Sequence, residues 1–411
     1  MTIKRVGFVA TRLAGTDGVS LETEKWRTVL ERLGYTCYAF AGEVDSDPQR
    51  AMVVPLAHFE DPEVAAVQAE LFGSWRRDRS VSDRVHRIRE SLVTALYTFI
   101  ERFDLDLLIP ENALAIPMHI PLGLALTQVI AETGLPVVGH HHDFSWERDR
   151  FRINACGDYL HGAFPPDSPS IRHVVINSYA SEQLSHRMGL SNTVIPNVWD
   201  FERPVGPADR AWQLRKELGF GEDDTLVLQP TRVVARKWIE RAIEIVRDLG
   251  IPRLVISHAV GDEGQSYAER LQRHADSLGV ELVDVSHMIG VNGNGVRPYT
   301  LDDAYQAADL VTFTSGFEGF GNAFVEAVYH RRPIVVNRYS VYVADIEPKG
   351  FDVIAIDGFA DADDIARIKA VLSDARGRER MTQKNFELGR RHFSYDVLAN
   401  RLSQRIGSFE R

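Results

Sequence analysis

Cysteine is nearly absent from this chain: there are two in 411 residues, Cys37 and Cys156. Their spacing forms neither a disulfide framework nor a metal knuckle, so both are expected as reduced, buried thiols. Long hydrophobic runs are missing as well. The N-terminal "MTIKRVGFVATRLAG" is continuously apolar only from Val6 to Ala10, too short for the core of a secretory signal. The most apolar long segment, "IPMHIPLGLALTQVIAETGLPVVG", is broken by His119, Gln128, Glu132 and prolines, which excludes a spanning helix. A soluble, cytoplasmic protein with no integral membrane segment is expected, with peripheral membrane contact left open. Positive charge is in deficit, the net charge being −11. A general nucleic-acid coat is thereby excluded, because phosphate contacts need concentrated Lys and Arg; a local basic pocket is still compatible. The common phosphate fingerprints, G-x-G-x-x-G and the Walker loop, do not occur at the glycine-rich turn described below. There is no repeat at solenoid periods and no low-complexity tract.

What the chain does have is a rhythm. "RVGFVA", "YTCYAFAG", "LDLLIP", "PVVGHHH" and "HVVINS" read as strands. Between them lie helical patterns, among them "LETEKWRTVLERLG", closed by Gly34, a long charged helical segment over roughly 61–103, and "PLGLALTQVIAETG". The rhythm restarts near Thr225 with "TLVLQP", "KWIERAIEIVRDLG", "RLVISHA", "SYAERLQRHADSLG", "VELVDV", "TLDDAYQAAD" and "LVTFTS". Short apolar runs alternating with helices predict parallel sheets built from βαβ units. The fold class is α/β, with two doubly wound Rossmann-like domains facing a central cleft, the default ligand site. The locally basic "SWRRDRSVSDRVHRIRES" reads as a solvated helix face, an anionic acceptor or lipid surface being the alternative.

The densest signal is "TSGFEGFGNAFVEAVYHRRPIVV", Thr314 to Val336. A strand ends at a turn carrying Gly316, Gly319 and Gly321, and a helix starts near Asn322. Glycines permit close backbone approach and positive φ. A helix start offers N–H groups and the positive end of a dipole to an anion such as phosphate. Glu318 sits in the turn. Glu326 lies about one turn into the helix, where a carboxylate can accept both hydroxyls of a cis-diol such as a ribose. A tight strand–helix turn with two incidental carboxylates would look the same on composition alone.

"EGFGNAFVEAVYHRRPIVV" resembles the donor-site signature of family 4 glycosyltransferases of the two-Rossmann (GT-B) fold: two glutamates with seven residues between them, a Gly-Phe-Gly among these, and a strand after a proline. "QPTRVVARKWIERAIEI" is similar to that family's Arg and Lys five apart, "VIPNVWD" to its hinge-side turn, and "FSYDVLANRLSQRI" to its closing helix, which crosses back onto the N-terminal domain. The likeness covers nearly the whole chain. It implies an acceptor-binding domain over 1–200 with a closing helix 393–411, and a nucleotide-sugar-binding domain over 206–390 that closes about a 196–206 hinge. It implies a retaining, metal-independent hexosyltransferase using a nucleotide-diphosphate sugar, GDP- or UDP-hexose, and needing no other cofactor. Carried over residue by residue, Arg232 and Lys237 would hold the diphosphate, Glu326 the ribose, and Glu318 the sugar ring. The N–H groups of Phe320, Gly321 and Asn322 would face sugar and phosphate, and the base is placed near "SHMIGV". Where many members have Gly-Gly in the first loop, this chain has Asp17-Gly18. The Gly18 amide would approach the donor phosphate; Asp17 is assigned to the acceptor, and the departure puts that contact in doubt.

"PVVGHHHDFSWERDRF" matches the family's strand ending in a histidine near the reaction centre. His142, before Asp143, is chosen as the sugar-contacting, catalytic histidine together with Arg232, Lys237 and Glu318, with His141 as its alternative. Consecutive strand residues point to opposite faces, so His140, His141 and His142 are not expected to ligate one metal. Glu111 and Asn112 in "IPENAL" end a strand, where α/β ligand sites form, and are assigned with His141 and Asp143 to the acceptor. For Asn112 a helix cap is the competing reading. The segments "LLIPENALAIPMHIPLGLAL" and "GHHHDFSWERDRF" resemble bacterial enzymes of the mannosylglucosylglycerate synthase kind, which implies a small, polar, anionic sugar or solute acceptor. Arg148, Arg150 and Arg152 could hold its carboxylate or phosphate, or be solvated. Small-molecule substrates are the expected partners, and homo-oligomerisation is left open. Competing functions are a lipid or polysaccharide transferase at a membrane, an epimerase on the same fold, and a non-catalytic nucleotide-sugar binder.

Overall fold

The computed structural model describes residues 3–15, 17–260, 265–290 and 296–409. The chain forms two compact units: Met1–Asn197 with Tyr395–Arg411, and Val198–Ser394.

In unit one the strands are β1 (Arg5–Val9), β2 (Thr36–Ala41), β3 (Ala51–Val53), β4 (Leu107–Pro110), β5 (Val137–His141), β6 (Ile171–Val175) and β7 (Asn192–Val194). The helices are α1 (Gly18–Arg32), α2 (Pro62–Leu71), α3 (Arg79–Phe103), α4 (Ile120–Thr133), α5 (Gly157–Ala163) and α6 (Ser178–Met188). Among the described residues the strands make one sheet, ordered β3-β2-β1-β4-β5-β6-β7, and the pairs are parallel, Val6 facing Leu107 and Gly139 facing His173. Strands such as β4 and β5 are buried at every position, as a sheet covered on both faces requires. Helix α3 buries Val81, Val85, Ile88, Leu92, Leu96 and Phe99, a spacing that lines up one face of a helix.

In unit two, α7 (Ala208–Glu217) precedes β8 (Val227–Gln229), α8 (Ile239–Leu249), β9 (Arg253–Ile256), α9 (Gln265–Leu278) and β10 (Glu281–Asp284). Then come α10 (Leu301–Ala307), β11 (Leu310–Phe313), α11 (Asn322–Tyr329), β12 (Ile334–Asn337), β13 (Ile354–Ile356), α12 (Ala362–Ser373) and α13 (Ala375–Phe393). The parallel sheet runs β10-β9-β8-β11-β12-β13. The last helix, α14 (Tyr395–Gly407), belongs to unit one and packs on α1. It buries Leu398, Leu402 and Ile406, and the Arg32 guanidinium lies 5.1 Å from the Tyr395 ring.

Two doubly wound parallel sheets bear out the α/β reading. The single helical segment expected over 61–103 is instead two helices. "FGSWRRD" interrupts it, with Gly73 at φ +83°, its N–H bonded to Ile153 O at 2.8 Å, and the Phe72 ring edge-on to Phe151. Strands β3, β7 and β13 were not read from the sequence; each is three residues long, too short for periodicity to register.

In each sheet the strand order reverses beside the first strand, between β1 and β4 in unit one and between β8 and β11 in unit two. Loops leaving the carboxyl ends of such strands flank a crevice and form the usual ligand sites of open α/β sheets.

Candidate active site

In unit two the loop after β8 carries Arg232, Arg236 and Lys237, and the loop after β11 carries Glu318. Hydrogen bonds join the two loops: Gly316 N–H donates to Arg236 O at 3.0 Å, and the Thr314 hydroxyl donates to Trp238 O at 2.9 Å. Gly316 is needed here, since a Cβ would strike the Trp238 ring. The Lys237 ammonium is paired with Glu318 Oε1, and Arg236 Nη1 reaches Glu318 Oε2 at 2.9 Å. Lys237 and Glu318 are both buried, at 8% and 7% exposure, and a buried charge persists only when paired. Burial alone would raise the Glu318 carboxyl, but Lys237 and Arg236 outweigh it and hold it below the usual range. Burial lowers Lys237 against the pull of Glu318, with Arg236 and Arg232 adding to the fall. Arg232 itself is exposed.

Helix α11 starts at Asn322 from Gly321, which has φ +122° and makes no side-chain cap. The Tyr339 hydroxyl donates to Phe320 O at 2.6 Å and braces that turn. Within α11, Glu326 is buried and accepts from the Tyr305 hydroxyl at 2.8 Å. Tyr305 stacks on His330, which bonds Asp302 at 3.1 Å. Burial, with the Glu326 charge adding, pushes the Tyr305 phenol well above its ordinary value, so it stays a donor. The placement of the base near "SHMIGV" falls partly outside the described residues, at Val291.

In unit one Glu111 follows β4, His140 and His141 end β5, and His142 comes directly after it. Glu111 Oε2 lies 2.8 Å from His140 Nδ1 and 3.2 Å from His142 Nε2. His141 takes the opposite pleat, wholly buried, with Nε2 2.9 Å from His173 Nδ1; burial and its neighbouring imidazoles hold it well below its ordinary value. Burial depresses His142 too, but Glu111, Glu22 and Asp143 outweigh it and raise its pKa. Asn112, in left-handed backbone at φ +57°, accepts from the His142 N–H at 3.0 Å and donates to Asp143 Oδ1 at 2.8 Å. It does not cap a helix: it fixes the turn that presents His142. The Asp143 carboxylate also takes Arg148 Nε at 2.8 Å. Arg150 and Arg152 are exposed, with Arg152 salt-bridged to Asp149 at 3.2 Å.

Asp17 is the N-cap of α1, and Gly18 its first residue. The Asp17 carboxylate accepts from Val19 N–H at 3.0 Å, Ser20 N–H at 3.1 Å and Arg12 at 3.2 Å, so its oxygens are already engaged.

Several residues escaped the sequence reading. Arg236, between the expected cations, shares Glu318. His258, after β9, is held down at about 4, first by burial and then by the charges of Lys237 and Arg232. In unit one, α1 turns Glu22 and Lys25 inward as a buried pair at 2.8 Å and stacks Trp26 on His140 with 3.9 Å between ring centres. A signal for the last group was present: positions 22, 26, 29 and 30 share a helical face, so the apolar Trp26, Val29 and Leu30 carry Glu22 inward with them.

Residues 210–387 match the family Glycosyl transferases group 1. Mannosylglucosylglycerate synthase of Thermotoga maritima is 30% identical over 98% of this chain and 99% of its own length. The chain belongs to the group 1 glycosyltransferases. The protein of the same name from Petrotoga mobilis is 30% identical over 94% of this chain and 98% of its own. A crystal structure of a glycosyltransferase from Rickettsia africae matches this glycosyltransferase with TM-score 0.71 at 10% identity, covering 99% of each chain, a likeness of fold. Among the described residues, no helix is long and apolar enough to cross a membrane.

Proposed function

We propose that this glycosyltransferase moves a hexose, with retention of anomeric configuration, from a nucleoside-diphosphate sugar to a small anionic sugar acceptor. The observation that carries the donor half is the buried Glu318, clamped between Lys237 and Arg236 beside the glycine-led start of α11. On this reading the incoming diphosphate lies against Arg232, Lys237 and the N–H groups of Phe320, Gly321 and Asn322. Fixed cations and a helix start stabilise the charge that gathers on the departing diphosphate, so no divalent ion is needed at that position. Glu318 then contacts the sugar while keeping Lys237 in place, and Glu326, oriented by Tyr305, takes the ribose hydroxyls.

The acceptor half is assigned to unit one. Glu111, His142, Asn112 and Asp143 surround the end of β5, and the Gly18 amide lies at the neighbouring start of α1. His142 is given the sugar contact. His141, turned into the core against His173, is not carried into the reading. No carboxylate is assigned as nucleophile; attack from the leaving-group face, with the departing phosphate taking the acceptor's proton, leaves the protein the tasks of positioning and charge stabilisation. The relatives' name describes a compound of mannose, glucose and glycerate, which supports a sugar acid as acceptor.

The deciding experiment incubates the full chain with GDP-mannose, GDP-glucose, UDP-glucose or ADP-glucose and, separately, glycerate or glucosylglycerate, following nucleoside diphosphate release and product anomer by NMR. Acceptor-dependent release with a retained anomeric centre is expected. No transfer from any donor, or an inverted product, would overturn the proposal.

A further inference from the structure

His140 and His142 are two residues apart at the end of β5, so they share a face, and Glu111 at the end of the neighbouring β4 points its carboxylate between them. One donor atom from each of the three lies within 4.8 Å of the other two. The two separations from Glu111 Oε2, 2.8 and 3.2 Å, are hydrogen-bond distances, shorter than the roughly 3.3–3.6 Å between ligands that each stand about 2.0–2.2 Å from one tetrahedral ion, so an ion takes the place of the shared protons and spreads the ligands slightly. The expectation that consecutive histidines could not share an ion therefore applies to His141 alone; the third ligand comes from another strand.

One further observation points to a cation. Glu111 is wholly enclosed, yet its Oε1 has no hydrogen-bond partner. A buried carboxylate oxygen without a donor is costly.

We propose that Glu111, His140 and His142 form a binding site for a divalent cation of borderline softness, such as Zn2+ or Co2+. Two imidazoles and one carboxylate suit such an ion, and three protein ligands leave an open position for water or an oxygen of an anionic ligand. Asn112 holds the His142 backbone in place, and Trp26 fixes the plane of the His140 ring. The site shares Glu111 and His142 with the acceptor half proposed above, the ion's open position taking the acceptor oxygen in place of a direct His142 contact, and it stands whether or not the donor reading is right.

Its test needs no turnover. The full chain is stripped with chelator and titrated with Co2+, following visible ligand-field absorption, and Zn2+ stoichiometry is measured by calorimetry. About one ion per chain is expected, with a saturable visible band and a thermal midpoint that rises with Zn2+, because a ligand that binds only the folded state stabilises it. Glu111→Gln and His142→Ala should each weaken binding on the order of 100-fold or more, since loss of an outer-shell partner alone commonly costs 10–100-fold. Circular dichroism separates loss of a ligand from loss of the fold. A wild-type chain that shows no saturable band overturns the proposal without recourse to variants. A band that persists unchanged in a folded Glu111→Gln or His142→Ala protein overturns it equally.

Discussion

Lys237 and Glu318 are joined by an ion pair although 81 residues separate them in the chain. The pair is buried, and Arg236 meets the other carboxylate oxygen at 2.9 Å. Removing either partner therefore does two things: it deletes a proposed ligand group and leaves an opposite charge short of a partner in a poorly solvated place.

Lys237→Ala is expected to lower turnover by about 100-fold or more, the magnitude seen when a charge-stabilising donor is lost. Turnover at saturating donor, compared with wild type at matched folded fraction, checks this. Near-wild-type turnover would take Lys237 out of the reaction.

Glu326→Gln should weaken nucleoside-diphosphate binding by about 10–100-fold, the range for hydrogen bonds to a charged group at roughly 1.5–3 kcal/mol. Tyr305→Phe, which removes one hydrogen bond from the carboxylate, should produce a smaller loss of the same kind. Isothermal titration with the matching nucleotide reads both. Equal affinity in the glutamine variant would remove the ribose role.

Gly321→Ala is expected to destabilise the protein by about 1–3 kcal/mol, because the backbone there lies in a region that L-residues avoid, φ being +122°. The new methyl would also meet the Tyr339 hydroxyl and lie 3.2 Å from the Phe313 ring. Adding Tyr339→Phe removes the first collision and should restore part of the loss, not all of it. Denaturant unfolding of the single and double variants checks the claim; wild-type stability in Gly321→Ala would refute it.

Acid stability follows from His119. Its Nδ1 accepts the Leu122 N–H at 3.1 Å as the N-cap of α4, and Nε2 donates to Leu56 O at 2.9 Å. Burial holds its pKa at about 4, against an ordinary 6.5. Between these values the unfolded chain binds a proton that the folded chain refuses, so stability falls as pH drops below 6.5. At 1.36 kcal/mol per unit the full loss is about 3 kcal/mol by pH 4. His119→Asn keeps a capping side chain and should flatten the slope between pH 6.5 and 5 by about one proton equivalent. An unchanged slope would show that His119 does not set it.

The strands and the glycine-led turn were legible because they are local: β-branched runs, Gly321 before Asn322, and two glutamates at fixed spacing. The partners of those glutamates were only half legible. Lys237 was named from its spacing to Arg232, but Arg236 takes the other oxygen of Glu318, and nothing local distinguishes one exposed-looking arginine from its neighbour. In unit one, alternation along β5 implied that His141 would part from His140 and His142. That Glu111 would join them required knowing that β4 lies next to β5, a pairing no periodicity states. Asp17 shows the opposite case. Its position before Gly18 suggested a ligand, but a carboxylate at the first residue before a helix satisfies that helix's N–H groups, and here it does so.

Helix α14 has a consequence for how the protein is made. It lies beyond unit two in the chain yet is packed on α1 of unit one. Domains ordinarily fold as units in the order they leave the ribosome. Here the half translated first waits for a helix that follows the second half, while the uninterrupted segment Val198–Ser394 can complete its own core in the interval. A nascent chain whose first 394 residues have emerged from the ribosome therefore holds a finished second half and an unfinished first one, with the face of α1 that α14 covers open to whatever apolar surface reaches it.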